Sequence, residues 1–351
     1  MDGFRRGRTH RHMATTDSAG RRKRVFSGMQ PSGEAHLGNY LGALKRWVEM
    51  QDDYDCIWCI VDDHAITAGG NPSEMPRNVL DLAISYLAVG LDPEKAIIFV
   101  QSDVHEHTEL AWLFNAVTPV GDLERMTQYK DKSQRFQSIP AGLLNYPILQ
   151  AADVLLYKAD VVPVGEDQRQ HLELLRDIAR KFNAAYGETF PETEALVDEA
   201  VGRIIGLDGA AKMSKSLDNT IPILAEPDEI WERLRTAVTD PQRVRRTDPG
   251  RPEVCNVFTL HKFFTDDATR SDLDRGCRTA EIGCLDCKRV LSDNIARTFA
   301  PFRERAAHFK AHPEEVLRIL DEGAGKARAI AHDTMSEVRE KMGLKWRSAI
   351  D

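Results

Sequence analysis

The chain has 351 residues, 42% of them hydrophobic, with six cysteines and a formal net charge of −8. That length supports a sizeable core and predicts two domains, which excludes a peptide scaffold or a fibre. No apolar run approaches the ~18 residues of a membrane span and none resembles a secretory leader, so a cytoplasmic protein with free thiols is expected.

Charge is unevenly spread: residues 1–24 hold eight Lys or Arg against two Asp, leaving −14 for the remainder. The runs "FRRGRTHRH" and "RRKR", spaced by Thr, Ser, Ala and Gly, cannot build a core. Residues 1–23 therefore read as a basic disordered tail, either merely solvated or touching nucleic acid. The body is acidic, so any polyanion must be met by local basic patches rather than by the general field.

From Arg24 the pattern alternates. "RVFSG" reads as a short strand, "LGNYLGALKRWVEMQ" as a helix, "CIWCIVDD" as a buried strand, "SEMPRNVLDLAISYLAVG" as a helix closed by Gly90, and "AIIFVQS" as a further strand. Such alternation calls for an α/β fold with a parallel sheet, whose ligands sit at the carboxyl ends of the strands. After "KMSKS" the strand signals fade, and "EPDEIWERLRTAV", "NVFTLHKFF", "NIARTFAPFRERAAHF" and "VLRILDEGAGKARAIAHDTMSEVREKMG" all read as helices. A helical domain is expected there, joined near residues 215–222.

At the first strand end, "SGMQPSG" lets backbone approach a ligand closely, and "HLGN" opens a helix whose N–H groups attract phosphate. His36 and Asn39, three apart, are expected to share a helix face. Taken alone, this is also what a plain strand-to-helix connection looks like. Further on, Lys212 and Lys215, with hydroxyls at Ser214 and Ser216, suit an anion whose charge grows during reaction, although an isolated Lys/Ser pentapeptide is equally a solvated turn. In "PILQAADVLLY", Ile148, Ala152, Leu155 and Leu156 make one helical face, while Gln150, Asp153 and Tyr157 fall opposite, either towards solvent or towards a site.

"HLGN" followed by "KMSKS" resembles the paired motifs of class I aminoacyl-tRNA synthetases. With "VFSGMQPSG", "CIVDDHAIT", "GDLERMTQYKDKS", "NYPILQAADVLLYKADVVPVGEDQRQHLEL" and "AKMSKS", the chain resembles the bacterial tryptophanyl type over about residues 24–350. The resemblance implies a Rossmann-like parallel-sheet catalytic domain at 24–215 and an all-helical domain at 216–322 on the tRNA anticodon side. It also implies a C-terminal helix, 323–351, packing back on the catalytic domain. It implies that ATP and L-tryptophan form an adenylate, and that tryptophan then passes to the 3′ end of tRNA. His36, Asn39, Lys212 and Lys215 would be the catalytic set. ATP would meet Gln30, Pro31, Ser32, Gly38, Asn39, Gly165, Glu166, Asp167, Ile204, Lys212, Met213, Ser214, Lys215 and Ser216. Mg2+ would ride on the phosphates, because no dedicated carboxylate cage is evident. Without the resemblance, "GED" would be a helix cap before "QRQHLELLRDIARKF".

Tryptophan would sit among Phe26, Gly28, His64, Tyr146, Gln150, Asp153, Val162, Val164 and Gln168, with Asp153 accepting the indole N–H. Gln150 stands where relatives generally carry Met, and His36 where Thr is common. A homodimer bridged by tRNA, with no membrane association, is the implied assembly.

Cys255, Cys277, Cys284 and Cys287 are separated by 21, six and two residues, whereas Cys56 and Cys59 sit on a predicted strand facing opposite sides. The close pair "CLDC" and a third cysteine nearby favour a shared ligand set over unrelated free thiols. The resemblance implies a four-iron, four-sulfur cluster there, with tetrahedral Zn2+ as the alternative. Other readings are a nucleotidylyltransferase, which would lack the long helical domain, a tyrosyl-tRNA synthetase, or a synthetase-like regulatory protein that no longer charges tRNA. Intact "KMSKS", "GED" and Asp153 argue against the last.

Overall fold

The computed structural model describes residues 15–17, 20–67, 71–134, 137–165, 168–197 and 204–346. Its centre is a five-stranded parallel sheet of order β3-β2-β1-β4-β5. The strands are β1 (Arg24–Met29), β2 (Asp55–Ile60), β3 (Ala96–Val100), β4 (Val161–Val164) and β5 (Glu194–Val197). The expected Rossmann-like α/β class is what the chain adopts. The polypeptide leaves β1 through α1 (Leu37–Asn39), a π-helical turn (Tyr40–Leu44) and α2 (Lys45–Met50), so the single helix expected from the sequence is broken by a wider turn. After β2 come α3 (Asp62–Ile66) and α4 (Met75–Val89), the latter stopped by Gly90 at φ 108°.

Between β3 and β4 lie α5 (Glu106–Phe114), α6 (Val120–Glu124), α7 (Thr127–Ser133) and α8 (Ala141–Leu156), and α9 (Arg169–Tyr186) links β4 to β5. The remainder is helical: α10 (Pro227–Arg235), α11 (Asn256–Phe264), α12 (Asp267–Arg278), α13 (Cys284–Ala311) and α14 (Pro313–Lys341).

Strand β2 reads as a continuous apolar run because both of its faces are covered, as parallel crossovers require. Cys56, Trp58 and Ile60 join one core cluster with residues of α2, α4 and α13, and Trp47 of α2 stacks on Trp58 at 4.7 Å between ring centres. Ile57 and Cys59 join the opposite cluster with α5, α8, α9 and α14. The two strand cysteines are thus buried thiols on opposite faces, as the alternation predicts.

Helix α8 departs from expectation in one respect. Asp153 and Tyr157, read as lying opposite the apolar face, do not meet solvent; they are buried, because α5 covers that side as well. Within the segment read as a basic tail, Arg21 reaches Asp160 at 3.0 Å and Lys23 pairs with Glu194, while residues 1–14 and 18–19 lie outside the described residues.

Candidate active site

At the carboxyl ends of β1 and β4 a cavity of about 1330 Å3 opens. Two sequence motifs some 170 residues apart close one wall of it. The strand-to-helix turn pairs with the segment after the lysine loop: Leu37 N donates to Ile221 O at 2.7 Å and Ile223 N to Ala35 O at 3.0 Å. Lys215 Nζ then reaches back to Ser32 O at 2.7 Å. His36 does not share a helix face with Asn39. It is the N-cap of α1: Asn39 N donates to His36 Nδ1 while His36 N donates to Asn39 Oδ1. With Nδ1 accepting, the ring proton lies on Nε2. Burial, helped by the positive charges of Lys215 and Lys212, lowers the His36 pKa to about 4. At neutral pH the ring is therefore an uncharged donor facing the cavity.

Gln30, Gly38, Asn39, Gly165, Ile204, Lys212 and Met213 line the cavity with His36. Pro31, Ser32, Ser214, Lys215 and Ser216 do not line it themselves but belong to the same turn and loop. Ser214 and Ser216 hydroxyls contact each other at 3.0 Å, and Lys215 touches the turn through Ser32. Glu166 and Asp167 lie outside the described residues.

Deeper in, Phe26, Gly28, His64, Tyr146, Gln150, Asp153, Val162, Val164 and Gln168 line the same cavity. Asp153 is buried, and two histidines and an amide converge on it: His64 Nε2 donates to Oδ2 at 2.7 Å, while His107 Nδ1 and Gln101 Nε2 donate to Oδ1 at 2.7 and 2.6 Å. Burial by itself would push this carboxyl up, but His64 and His107 outweigh it and hold Asp153 below the usual carboxylate range. His107 Nε2 accepts from Tyr157 Oη at 2.8 Å, which fixes the His107 tautomer. Tyr157 in turn stacks on Phe26 at 5.4 Å. Gln150 Nε2 donates to Gln168 Oε1 at 3.3 Å, which ties two wall residues together. Tyr146 Oη donates to Gln128 Oε1 and accepts from His171 Nε2.

Sequence reasoning missed Gln101, His107, Gln128 and His171. Gln101 directly follows β3, and the rule that parallel-sheet sites gather at strand ends pointed there. The other three become visible only when α5, α7 and α9 pack against α8.

The late cysteines cap or begin helices: Cys255 precedes α11, Cys277 lies in the last turn of α12, and Cys284 and Cys287 open α13. They are neighbours. Burial raises the Cys287 pKa to about 12, and charge on Cys255, Cys277 and Cys284 adds to it. Arg243 Nη1 approaches Cys277 Sγ at 3.6 Å, and His261 Nε2 lies 3.3 Å from Cys287 Sγ. Among the described residues, however, no group of three or more His, Cys, Asp or Glu stands arranged to hold a metal ion, so the four thiols are not a preformed ligand set.

A parallel sheet with a capped histidine turn, a lysine loop docked on that turn, and an amino-acid-sized recess ending in a carboxylate together define a class I aminoacyl-tRNA synthetase. The chain matches the family described as tRNA synthetases class I (W and Y) over residues 18–300. The tryptophan–tRNA ligase of Deinococcus radiodurans is 53% identical over 325 residues, covering 92% of this chain and 98% of its own. That of Thermotoga maritima is 45% identical over 329 residues, covering 92% and 100%. The crystal structure of tryptophanyl-tRNA synthetase from Campylobacter jejuni, complexed with ADP and tryptophan, superposes with a TM-score of 0.83 at 39% identity, covering 91% of this chain and 99% of its own. The chain belongs to the tryptophan–tRNA ligases, ATP-dependent enzymes that join tryptophan to tRNA.

Proposed function

We propose that the outer half of the cavity binds ATP and the inner half tryptophan, so that the amino-acid carboxylate attacks the α-phosphorus in line and pyrophosphate leaves. The observation that carries this reading is the juxtaposition of two ends in one cavity: a lysine loop hydrogen-bonded to the Ser32 turn, and a buried, ionised Asp153 at the far wall. Lys212 and Lys215 stabilise the charge that grows on the phosphates, and neutral His36 donates from Nε2. Gln30, Pro31, Ser32, Gly38, Asn39, Gly165, Ile204, Met213, Ser214 and Ser216 surround the nucleotide, with Glu166 and Asp167 on its ribose side. Mg2+ travels with the phosphates.

Asp153 accepts the indole N–H. Phe26, Gly28, His64, Tyr146, Gln150, Val162, Val164 and Gln168 shape the recess around the ring and the amino-acid head group. A side chain without a donor would leave that buried carboxylate short of a partner, which is the basis of selection. Amino-acid-dependent ATP–pyrophosphate exchange across all twenty amino acids tests the assignment: exchange with tryptophan alone is expected, and equal exchange with phenylalanine or tyrosine would overturn it.

The enzyme works as a cytoplasmic homodimer in this reading. No described helix is long and apolar enough to cross a membrane. Cys255, Cys277, Cys284 and Cys287 hold a four-iron, four-sulfur cluster, with Zn2+ as the alternative. The donor chemistry fits: four neighbouring thiols with the Arg243 guanidinium beside them to offset thiolate charge. Such a group supplies bracing to α11–α13 and no step of adenylation. Iron, zinc and sulfide analysis of protein prepared without oxygen decides between cluster, zinc and free thiols.

A further inference from the structure

The lysine loop is not free to choose its own shape. Its backbone turns at Asp208–Lys212, where Ile205 and Lys212 form an antiparallel bridge, and returns through Lys215–Leu217 to Asn219. Asn219 is 3% exposed, and its side-chain amide makes three hydrogen bonds. Oδ1 accepts from Ser214 N at 2.7 Å, while Nδ2 donates to Asp208 Oδ2 at 2.8 Å and to Lys212 O at 3.3 Å. One side chain therefore grips the backbone on both sides of buried Met213, which is what sets the directions in which Lys212 and Lys215 leave the chain.

A second contact seats Asn219 from behind. A Cβ built on Gly206 would stand 2.1 Å from Asn219 Nδ2, so a residue with any side chain there would expel the amide. The Gly206 carbonyl is in turn held by Asn256 Nδ2 at 2.8 Å, and Asn256 is the first residue of α11, next to Cys255. The helical layer thus touches the loop through a chain of packed, hydrogen-bonded groups: Asn256, Gly206, Asn219, Ser214.

We propose that Asn219 is a positioning residue for adenylation, holding the lysine loop in its working shape, and that Asn256 makes the helical layer the support for that hold. This rests on the reading of Lys212 and Lys215 as the groups that meet the triphosphate. Misplacing a charged group by about 1 Å costs on the order of 10²-fold in rate, so the effect falls on turnover rather than on tryptophan binding, whose recess lies on the other wall.

The test is ATP–pyrophosphate exchange by the full-length enzyme, with tryptophan and ATP varied separately and thermal midpoints recorded for every variant. Asn219→Ala should lower kcat by about 10-fold or more with the tryptophan KM within about twofold. Asn219→Asp keeps the acceptor but faces Asp208 with a second carboxylate, and should do the same. The swap Asp208→Asn with Asn219→Asp restores a donor–acceptor pair and should recover kcat to within about threefold of the parent, with the thermal midpoints of the two variants separating a recovery of turnover from a recovery of stability. Asn256→Ala should move kcat in the same direction by less. Lys215→Ala, run alongside, separates the two ideas. If it leaves exchange unchanged, the lysine-loop reading itself fails. If it slows exchange while Asn219→Asp does not, or if the folded swap variant shows no recovery, the role given to Asn219 is overturned.

Discussion

Asp153 has two oxygens with about four acceptor sites and three donors, so one site is left for the indole N–H. His64 alone occupies Oδ2, whereas His107 and Gln101 share Oδ1. The indole N–H therefore enters beside His64 on Oδ2, and the two donors on Oδ1 keep the carboxylate aimed. Asp153→Asn keeps the shape but removes the charge, and it should weaken selection of tryptophan over phenylalanine by about 1–3 kcal/mol, measured by competition charging. A second residue-scale effect concerns His36 and His261, both buried and both with pKa values lowered to about 4 from 6.5, chiefly by burial. Unfolding lets each take a proton near its ordinary pKa, so their contribution to stability is complete above about pH 6.5. It declines as the pH falls towards about 4 and changes little below that. In His36→Gln, the loss of stability between about pH 7 and pH 4 should be smaller than in the parent by about 2–3 kcal/mol, read from urea midpoints. Asp153 acts in the same direction at lower pH: its carboxyl is held below the usual carboxylate range, so its contribution is present above that range and is lost as the pH falls through it. Of these residues, His36 and Asp153 were legible from motifs. Gln101 was marked only by its place at the end of β3, and His107 was not marked at all, because its role exists only once α5 packs against α8.

Elements were legible where the period was clean and illegible where tertiary cover changed its meaning. Strand β2 was plain from its apolar run. Helix α8 was not, since one of its faces looked polar only until α5 covered it and turned Asp153 and Tyr157 inward. The cap at α1 was misread for a related reason: three-residue spacing puts two side chains on one helix face only when both are inside the helix, and His36 is just outside. Helix α14 shows what close packing demands. A Cβ on Gly323 would lie 1.9 Å from the carbonyl oxygen of Ile98 in β3, so here helix and strand backbones touch with no side chain between them. Gly323→Ala should destabilise the protein by at least about 2 kcal/mol, seen as a lower denaturant midpoint, because α14 must back away from the sheet along much of its length.

Across the whole molecule, the sheet takes its strands from residues 24–197, yet its edge strand β3 is covered by a helix that begins at Pro313. The two ends of the chain contribute unequally. Near the N-terminus, Arg21 and Lys23 make exposed ion pairs with Asp160 and Glu194, of the kind that contribute at most about 1 kcal/mol. Deleting residues 1–23 should therefore leave adenylation intact and lower the thermal midpoint by only a few degrees. A soluble truncated protein without exchange activity would show that these residues belong to the catalytic unit.

The late arrival of α14 matters for how the chain is made. A ribosome finishes all five strands well before it reaches Pro313, and until that helix emerges the outer backbone groups of β3 and the apolar face awaiting Ala324, Ala327 and Ala331 are bare. An uncovered parallel edge is a template for other chains. During synthesis, then, the enzyme passes through an interval in which its sheet is complete and its protection is not, and that interval closes only once α14 has been made and has docked.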